Sequence, residues 1–307
     1  MEELFNKCNI CPRECNVNRN KGEIGYCGAS NKIKIGGYHL HMWEEPIITG
    51  KNGSGTIFFS YCNLRCIYCQ NYDISINNNG EEISIERFSD ICLLLQEMGA
   101  ENINLVTPSH YIPLIREGLI MAKRKGLIIP IVYNTSGYDK VNSLKLLDGL
   151  VDIYLPDFKY YDKELNKYSN VNNYFEITRE ALKEMYRQVG KPVIKKGIMK
   201  RGVIVRHLVL PSHIEDSKKV IKYLFDNYGN NIYLSIMNQY TPIRRCKYLE
   251  LNNRVSEEEY DEIIDYEKFY AGVAEKLNIS IETLCSIMHR NFTEFITNGR
   301  RVDIPTQ

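Results

Sequence analysis

The sequence predicts an α/β fold in which six parallel strands alternate with helices, as a partial (βα)6 barrel or an open sheet. Runs rich in β-branched residues recur along the chain, and segments with helical spacing of apolar residues separate them. Strands joined through helices pair in parallel by right-handed crossovers. The predicted strands are residues 56–60, 103–107, 128–133, 151–155, 203–210 and 232–238.

The helical segments between these strands support the same fold class. A glycine closes each segment, and glycine readily takes the left-handed conformation found at helix ends. The predicted helices are residues 85–98, 112–125, 141–147, 174–189 and 215–228. A capping box at residues 256–259 predicts one more helix, to about residue 277. We therefore divide the chain into a cysteine-rich segment (1–50), a core (51–240) and a helical tail (241–307).

Composition limits the classes of function. The 39 basic residues nearly cancel the 38 acidic ones, so no overall charge attracts nucleic acid or an anionic membrane. No segment has the apolar core of a signal peptide or the length of a membrane span, which predicts a cytoplasmic protein. In that reducing compartment, 10 cysteines indicate metal binding or redox chemistry rather than disulfides.

Three cysteines follow the first predicted strand directly. Cys62, Cys66 and Cys69 lie in the run CNLRCIYC, with an aromatic residue just before the last cysteine. Three thiolates on one loop can bind three irons of a [4Fe–4S] cluster and leave the fourth iron open for another ligand. The alternative is a structural zinc site, but zinc usually takes four protein ligands in such sites.

Polar loops follow the other five predicted strands as well. The carboxyl ends of parallel strands meet at one edge of the sheet or one mouth of the barrel, where α/β proteins place their ligands. These loops should therefore converge on the cysteine triplet. They are residues 107–110, 134–137, 156–159, 211–213 and 239–242.

The run CNLRCIYCQNYDIS, with the polar strand ends around it, resembles the radical S-adenosylmethionine (SAM) superfamily. The similarity is closest to its glycyl-radical activases, the relatives of pyruvate formate-lyase activating enzyme. The resemblance implies that Cys62, Cys66 and Cys69 bind a [4Fe–4S] cluster whose open iron is chelated by SAM. It further implies an oxygen-sensitive oxidoreductase that cleaves SAM to a 5′-deoxyadenosyl radical and abstracts a hydrogen atom from its substrate.

The resemblance also assigns residues around SAM. Tyr68 would pack near the adenine. The loop at Thr107 replaces the glycine-rich loop that usually receives the SAM amino group, so its backbone carbonyls would accept those hydrogen bonds. Asn134 and Ser136 match positions that approach the ribose and carboxylate of SAM.

Three charged residues at later strand ends carry two interpretations each. Asp157 and Lys159 resemble the activases' DLK element, in which the aspartate helps to hold a monovalent cation and the lysine lies near SAM. The alternative is a surface ion pair or a helix cap, which contributes little. Arg206 lies within an apolar strand and needs an anionic partner if buried. That partner is either SAM or substrate, or an internal carboxylate.

Four more cysteines open the chain, at Cys8, Cys11, Cys15 and Cys27. Their close spacing among glycines predicts a second metal site, for zinc or another iron–sulfur cluster. The alternative is a set of free buried thiols. A similar N-terminal element occurs in a subset of uncharacterised activase relatives.

These features predict a radical SAM enzyme. The resemblance also implies which partners it would have. A flavodoxin- or ferredoxin-type protein would donate the electron, and a glycyl radical enzyme or another protein would be the substrate. Two alternatives stay open. One is radical modification of a peptide or small molecule, and the other is a non-catalytic iron–sulfur or zinc protein.

Overall fold

The computed structural model describes residues 3–276, and strands and helices alternate over most of that range. The strands are β1 (Ile33–His41), β2 (Ser54–Phe59), β3 (Glu81–Ile83), β4 (Ile103–Val106), β5 (Ile131–Thr135), β6 (Ile153–Pro156), β7 (Val193–Lys195), β8 (Ile198–Leu208) and β9 (Tyr233–Met237). The helices are α1 (Glu3–Asn6), α2 (Pro46–Thr49), α3 (Tyr72–Ser75), α4 (Ile85–Glu97), α5 (Ile112–Arg124), α6 (Val141–Leu144), α7 (Tyr174–Val189), α8 (Ile214–Tyr228) and α9 (Glu257–Lys276).

The sheet confirms the predicted α/β class. Its order is β3-β1-β2-β4-β5-β6-β8-β7, and β9 pairs with β8. Each neighbouring pair in the series β2, β4, β5, β6, β8 and β9 is parallel, as expected for strands joined through helices. This curved series is consistent with a partial barrel, whose carboxyl ends carry the loops singled out in the sequence.

The helices form where apolar residues recur with helical spacing. Phe88, Ile91 and Leu95 of α4 are buried on one face and belong to the large core between helices and sheet. The predicted helix 174–189 coincides with α7, and Gly190 follows it with a φ of 65°. A left-handed φ of this kind strains other residues, which explains why glycine stands there.

The interior face of the sheet changes from apolar to polar toward the carboxyl ends of the strands. Ile47 and Ile48 of α2 pack inside against a set of strand side chains, which comprises Val132, Ile153, Leu155, Met199 and Ile204. Two positions further along the strands, on the same face, come Asn134, Asp157 and Arg206. The apolar layer thus supports a polar layer directly beneath the strand-end loops.

Several strand bounds differ from the predictions. The third predicted strand corresponds to β5, which begins at Ile131. It follows Pro130, which lacks the N–H needed for a sheet ladder. The strand also continues to Thr135, so Asn134 lies within β5 instead of following it. Strand β8 begins before the predicted residue 203, because its first residues form an antiparallel pair with β7.

The N-terminal part contains a strand that the sequence did not predict. Strand β1 pairs antiparallel with β2 and joins the same sheet as the core. Two adjacent glycines, Gly36 and Gly37, interrupt its alternation of apolar and polar residues. The domain bounds at residues 50 and 240 stay predictions.

The predicted capping box is present at the last helix. Ser256 Oγ accepts a hydrogen bond from Glu259 N–H at 3.1 Å, and Glu259 accepts one from Ser256 N–H at 2.9 Å. The remainder of the predicted tail, with Cys285, Arg290, Arg300 and Arg301, lies outside the described residues. Within the described range, no helix combines the length and the apolar character needed to cross a membrane.

His207 joins β8 to its neighbours and predicts a pH dependence of stability. Its Nδ1 donates to Phe158 O at 2.7 Å, and its Nε2 lies 2.8 Å from Ser217 Oγ. Burial lowers the pKa of His207 to about 4, although the Phe158 hydrogen bond opposes this shift. The unfolded chain therefore takes up a proton near pH 6.5, where the folded chain does not.

The stabilisation from neutral His207 is present above pH 6.5 and is lost as the pH falls toward 4. We expect up to about 3 kcal/mol of unfolding free energy to be lost from this group over that window. Urea denaturation at pH 7.5 and pH 4 measures it. His207→Asn should be less stable at pH 7.5 but should lose less on acidification. An unchanged pH dependence in the variant would show that His207 is not responsible.

Candidate active site

The cysteine triplet lies on a tight loop at the carboxyl end of β2. Two non-glycine residues in the loop have left-handed backbones, Tyr61 with a φ of 73° and Arg65 with a φ of 56°. Such conformations cost energy and persist where the surroundings enforce them. The loop winds tightly enough to bury Cys62 and Cys66, each 8% exposed, while Cys69 is half-buried.

Each thiol of the triplet has a hydrogen-bonding neighbour. Cys66 Sγ lies 3.0 Å from Ser169 Oγ, and Cys69 Sγ lies 3.2 Å from Ser75 Oγ. The third, Cys62 Sγ, accepts from the backbone N–H of Leu64 at 3.4 Å. Hydrogen bonds to ligand sulfurs tune the potential of a cluster, so this donor set fits an iron–sulfur group.

Burial raises the pKa of Cys66 to about 12, although the charge of Lys159 acts in the opposite direction. Burial also raises the pKa of Cys62. The unliganded thiols are therefore protonated at neutral pH, and iron binding would release those protons. Lys159 is the cation that acts on Cys66, which places the fourth strand end beside the triplet.

Lys159 and Arg206 share one buried carboxylate. Asp157 accepts from Lys159 Nζ at 2.7 Å and from Arg206 Nε at 3.0 Å. All three side chains are less than one fifth exposed. Burial alone would raise the pKa of Asp157, but these two cations lower it below its usual range. The surface ion pair or cap that we considered for Asp157 and Lys159 is therefore wrong.

Arg206 joins further residues into the same network. Its guanidinium lies 3.4 Å from a Glu44 carboxylate oxygen and donates to Asn134 Oδ1 at 2.8 Å. Asn134 in turn donates to Glu44 at 2.7 Å. The structure shows the internal carboxylate partners of Arg206, and its contact with SAM or substrate stays a prediction. Glu44 was missed in the sequence, where no local pattern links it to a residue so distant along the chain.

Polar atoms without partners lie near this network. Within the described residues, Asn104 Oδ1, Glu45 Oε2 and Ser136 Oγ are buried and have no hydrogen-bonding partner. Burial raises the pKa of Glu45 to about 7, an effect that Arg206 partly offsets. Buried polar atoms normally have partners, so these atoms indicate a place where a polar ligand can bind.

Tyr68 is connected to the triplet through a polar chain. Its hydroxyl bonds to that of Tyr160, which lies 2.9 Å from Ser169 Oγ, the neighbour of Cys66. The Tyr68 ring also meets Tyr240 edge-on, with ring centroids 5.9 Å apart. Tyr240 belongs to the loop 239–242 that was predicted to converge on the triplet. Tyr160 and Ser169 were not predicted as site residues, because their contacts to the loop come from distant parts of the chain.

Thr107 and Ser136 lie on adjacent strand ends. Thr107 N–H donates to Asn134 O at 2.8 Å, and its φ is 60°. A left-handed backbone is rare for a β-branched residue and marks local strain. The Ser136 carbonyl oxygen accepts a hydrogen bond from Tyr174 Oη at 2.7 Å. Gly137 follows with a φ of 79°, and a Cβ there would lie 2.2 Å from Asp157 O, so only glycine fits.

The two strand-end histidines differ in position. His213 Nε2 lies 3.0 Å from Tyr168 Oη, which also donates to Glu250. These three residues line a cavity of about 320 Å³, and Tyr168 O accepts from Ile67 N–H in the triplet loop. We expected the loop at residues 107–110 to face the same mouth, but this was wrong for His110. His110 is fully buried and lines the cavity of the N-terminal cysteines.

The four N-terminal cysteines also lie close together, beside a cavity that the triplet cysteines do not line. Their cavity is lined by all four, namely Cys8, Cys11, Cys15 and Cys27. In the part of the chain that the structure describes, no three His, Cys, Asp or Glu side chains already surround a common point at coordination distance. Binding of a metal at either cysteine set would therefore require side-chain adjustment.

Comparison with known protein families identifies the class. Residues 56–224, more than half of the chain, match the radical SAM superfamily. The chain therefore belongs to the radical SAM superfamily, whose members use a [4Fe–4S] cluster and SAM in radical reactions.

The chain is also similar to two uncharacterised proteins of Methanocaldococcus jannaschii. It is 31% identical to MJ0674, over 91% of this chain and 78% of that protein. It is 23% identical to MJ0808, over 73% of this chain and 67% of that protein.

Two solved structures show weaker similarity. Methylornithine synthase (PylB) has 16% identity and a TM-score of 0.47, over 67% of this chain and 59% of that one. Streptococcus suis SuiB bound to SAM has 13% identity and a TM-score of 0.49, over 79% of this chain and 49% of that one. The chain spans less than two thirds of either protein.

Proposed function

We propose that this protein cleaves SAM reductively at a [4Fe–4S] cluster bound by Cys62, Cys66 and Cys69. The observation that carries the proposal is the placement of three thiols on one loop at the carboxyl end of β2, with Lys159 acting on Cys66. A cluster with three protein ligands keeps one iron open for SAM and supplies the electron that yields a 5′-deoxyadenosyl radical.

The residues around the loop would hold the thiolates and exclude water. Ser169 and Ser75 are within hydrogen-bonding distance of Cys66 and Cys69, and they would donate once the thiols are deprotonated. The positive charge of Lys159 would favour the thiolate form of Cys66. Burial of Cys62 and Cys66 keeps water from the inner side of the loop.

The polar layer would bind SAM. Ser136 Oγ and Asn104 Oδ1 are unsatisfied acceptors that can receive hydrogen bonds from hydroxyl or amino groups. The strained backbone at Thr107 supports a role of that loop in receiving the amino group. Tyr68 would offer its ring to the adenine. Asp157, Asn134 and Arg206 would position these groups through their network.

A monovalent cation is not part of this proposal. The two carboxylate oxygens of Asp157 already accept from Lys159 and Arg206, at 2.7 Å and 2.9 Å. A third cation would face the repulsion of both positive groups. Asp157 is better explained as the anion that holds Lys159 beside the triplet.

We further propose that the hydrogen atom comes from a glycine of a partner enzyme, with the electron supplied by a flavodoxin- or ferredoxin-type donor. The support is the similarity of residues 62–75 to the glycyl-radical activases. The cavity of about 320 Å³ next to the triplet loop, lined by Tyr168, His213 and Glu250, offers room for a substrate segment.

The test begins with anaerobic iron reconstitution, followed by dithionite and SAM. We expect 5′-deoxyadenosine, and none from a cluster-loaded protein would contradict the enzymatic function. A candidate glycyl radical enzyme is then added, and electron paramagnetic resonance should detect a SAM-dependent glycyl radical. SAM cleavage without that radical, but with a mass change on a peptide or small molecule, would favour the alternative substrates.

A further inference from the structure

The four N-terminal cysteines and a buried arginine form an arrangement separate from the triplet. Cys8, Cys11, Cys15 and Cys27 are brought together by a short fold in which Cys8 N–H donates to Val17 O and Asn16 N–H donates to Cys8 O, each at 2.8 Å. Three of the four thiols are buried. They line one cavity of about 10 Å³, roughly the space of a single water molecule.

Arg19 supplies an independent indication that an anion belongs in this cavity. It is only 2% exposed, and its guanidinium lies 3.9 Å from Cys8 Sγ. It also donates to backbone carbonyls, including His110 O at 2.8 Å, and it lies near the rings of Phe5 and Tyr111, neither of which carries a full negative charge. Among the described residues, no carboxylate forms a salt bridge with it. A buried cation needs a compensating negative charge.

His110 gives a further indication. Its Nε2 lies 2.8 Å from Ser60 O, whereas Nδ1 is buried and has no partner within the described residues. The ring lines the same cavity as the four cysteines. Because Nε2 faces a carbonyl oxygen it carries the ring proton, so Nδ1 is an unsatisfied acceptor that marks a polar site beside the cysteines rather than a donor to a thiolate.

We propose that Cys8, Cys11, Cys15 and Cys27 bind one zinc ion, with Arg19 compensating the charge of the thiolates. Four thiolates around Zn²⁺ carry two net negative charges, which would provide the anion that Arg19 lacks. Four protein ligands close the coordination sphere, as in structural zinc sites.

This zinc site would also stabilise the backbone of the triplet loop. Arg13, between Cys11 and Cys15, donates from Nε to Asn63 O at 2.8 Å. Tyr26, next to Cys27, donates to Leu64 O at 3.2 Å. The Arg13 guanidinium also stacks on the Tyr26 ring, 3.7 Å from its centroid. Zinc binding would thus fix two side chains that hold the backbone between Cys62 and Cys66.

The test uses the full chain with Cys62, Cys66 and Cys69 changed to Ala, which cannot form the SAM-cleaving cluster. Elemental analysis should find one zinc per chain and no bound iron or sulfide. Adding Cys11→Ser should remove the zinc, whereas adding Cys92→Ala, at a buried cysteine outside both sets, should retain it. Because this variant lacks the triplet cysteines, its zinc content does not depend on SAM cleavage.

Two outcomes would overturn the proposal: iron with sulfide at these cysteines, or no metal with all four thiols free. Because Cys11→Ser can also unfold the segment, Co²⁺ exchange with the four cysteines intact provides a second measurement. It should give the visible absorption of tetrahedral cobalt thiolate. The rate of amide hydrogen exchange at residues 61–66 should rise when a chelator removes the zinc. An unchanged rate would contradict the stabilisation of the triplet loop by zinc.

Discussion

Changing Cys66 to Ala should abolish SAM cleavage. Cys66 is the middle ligand of the triplet, is buried, and lies 3.0 Å from Ser169 Oγ. With two ligands left, the site cannot hold the cluster that carries the open iron. We expect 5′-deoxyadenosine to fall by at least about 10³-fold, equivalent to about 4 kcal/mol of barrier.

The matched control for this change is Cys92→Ala. Cys92 is fully buried in α4, belongs to the core between helices and sheet, and lines neither of the two cavities beside the cysteine sets. Its loss should cost about 1 kcal/mol of stability and leave SAM cleavage within about twofold of the wild type. Equal loss of product in both variants would attribute the effect of Cys66→Ala to unfolding. Retained cleavage in Cys66→Ala would contradict its role as a ligand.

Changing Asp157 to Asn should destabilise the protein by about 3–5 kcal/mol, because it leaves Lys159 and Arg206 buried with too little negative charge. Asn keeps the size of the side chain, so the loss reports charge rather than volume. The pKa of Asp157 is lowered in the folded chain, so its stabilisation is present above pH 3.8 and is lost as the pH falls through the folded pKa. Urea denaturation at pH 7 therefore measures the full effect.

A comparison with an exposed ion pair separates burial from charge. Asp226 accepts from Lys222 at 2.6 Å, and both side chains are about half exposed. Asp226→Asn should change the unfolding free energy by less than about 1 kcal/mol. A similarly small effect of Asp157→Asn would contradict the buried network. If so, Lys159 and Arg206 would have to be compensated by other groups.

Sequence periodicity predicted the elements whose signals are local. Helix α7 begins and ends at the predicted residues because its apolar spacing and Gly190 define both ends. The triplet loop could be located because its spacing is short and its strand is strongly apolar. Strand β1 was missed because Gly36 and Gly37 break its alternation, and it is stabilised by pairing with β2 rather than by its own propensity.

The partners of buried charges could not be predicted in the same way. Arg206 was expected to need an anion, but its partner Glu44 is brought to it from before β2, through the turn that leads into α2. The position of His110 depended likewise on packing against the N-terminal segment. A single sequence contains no local signal for such long-range contacts, whereas the need for a partner follows from the cost of burying charge.

The central claim is that three cysteines bind a cluster with one open iron, and Mössbauer spectroscopy tests it most directly. The protein is reconstituted anaerobically with ⁵⁷Fe and measured with and without SAM. We predict a [4Fe–4S] spectrum in which SAM shifts the signal of one iron and leaves the other three unchanged. A [4Fe–4S] spectrum in which SAM shifts the signal of none of the four irons would contradict the claim. A protein that retains zinc and no iron at the triplet would contradict it as well.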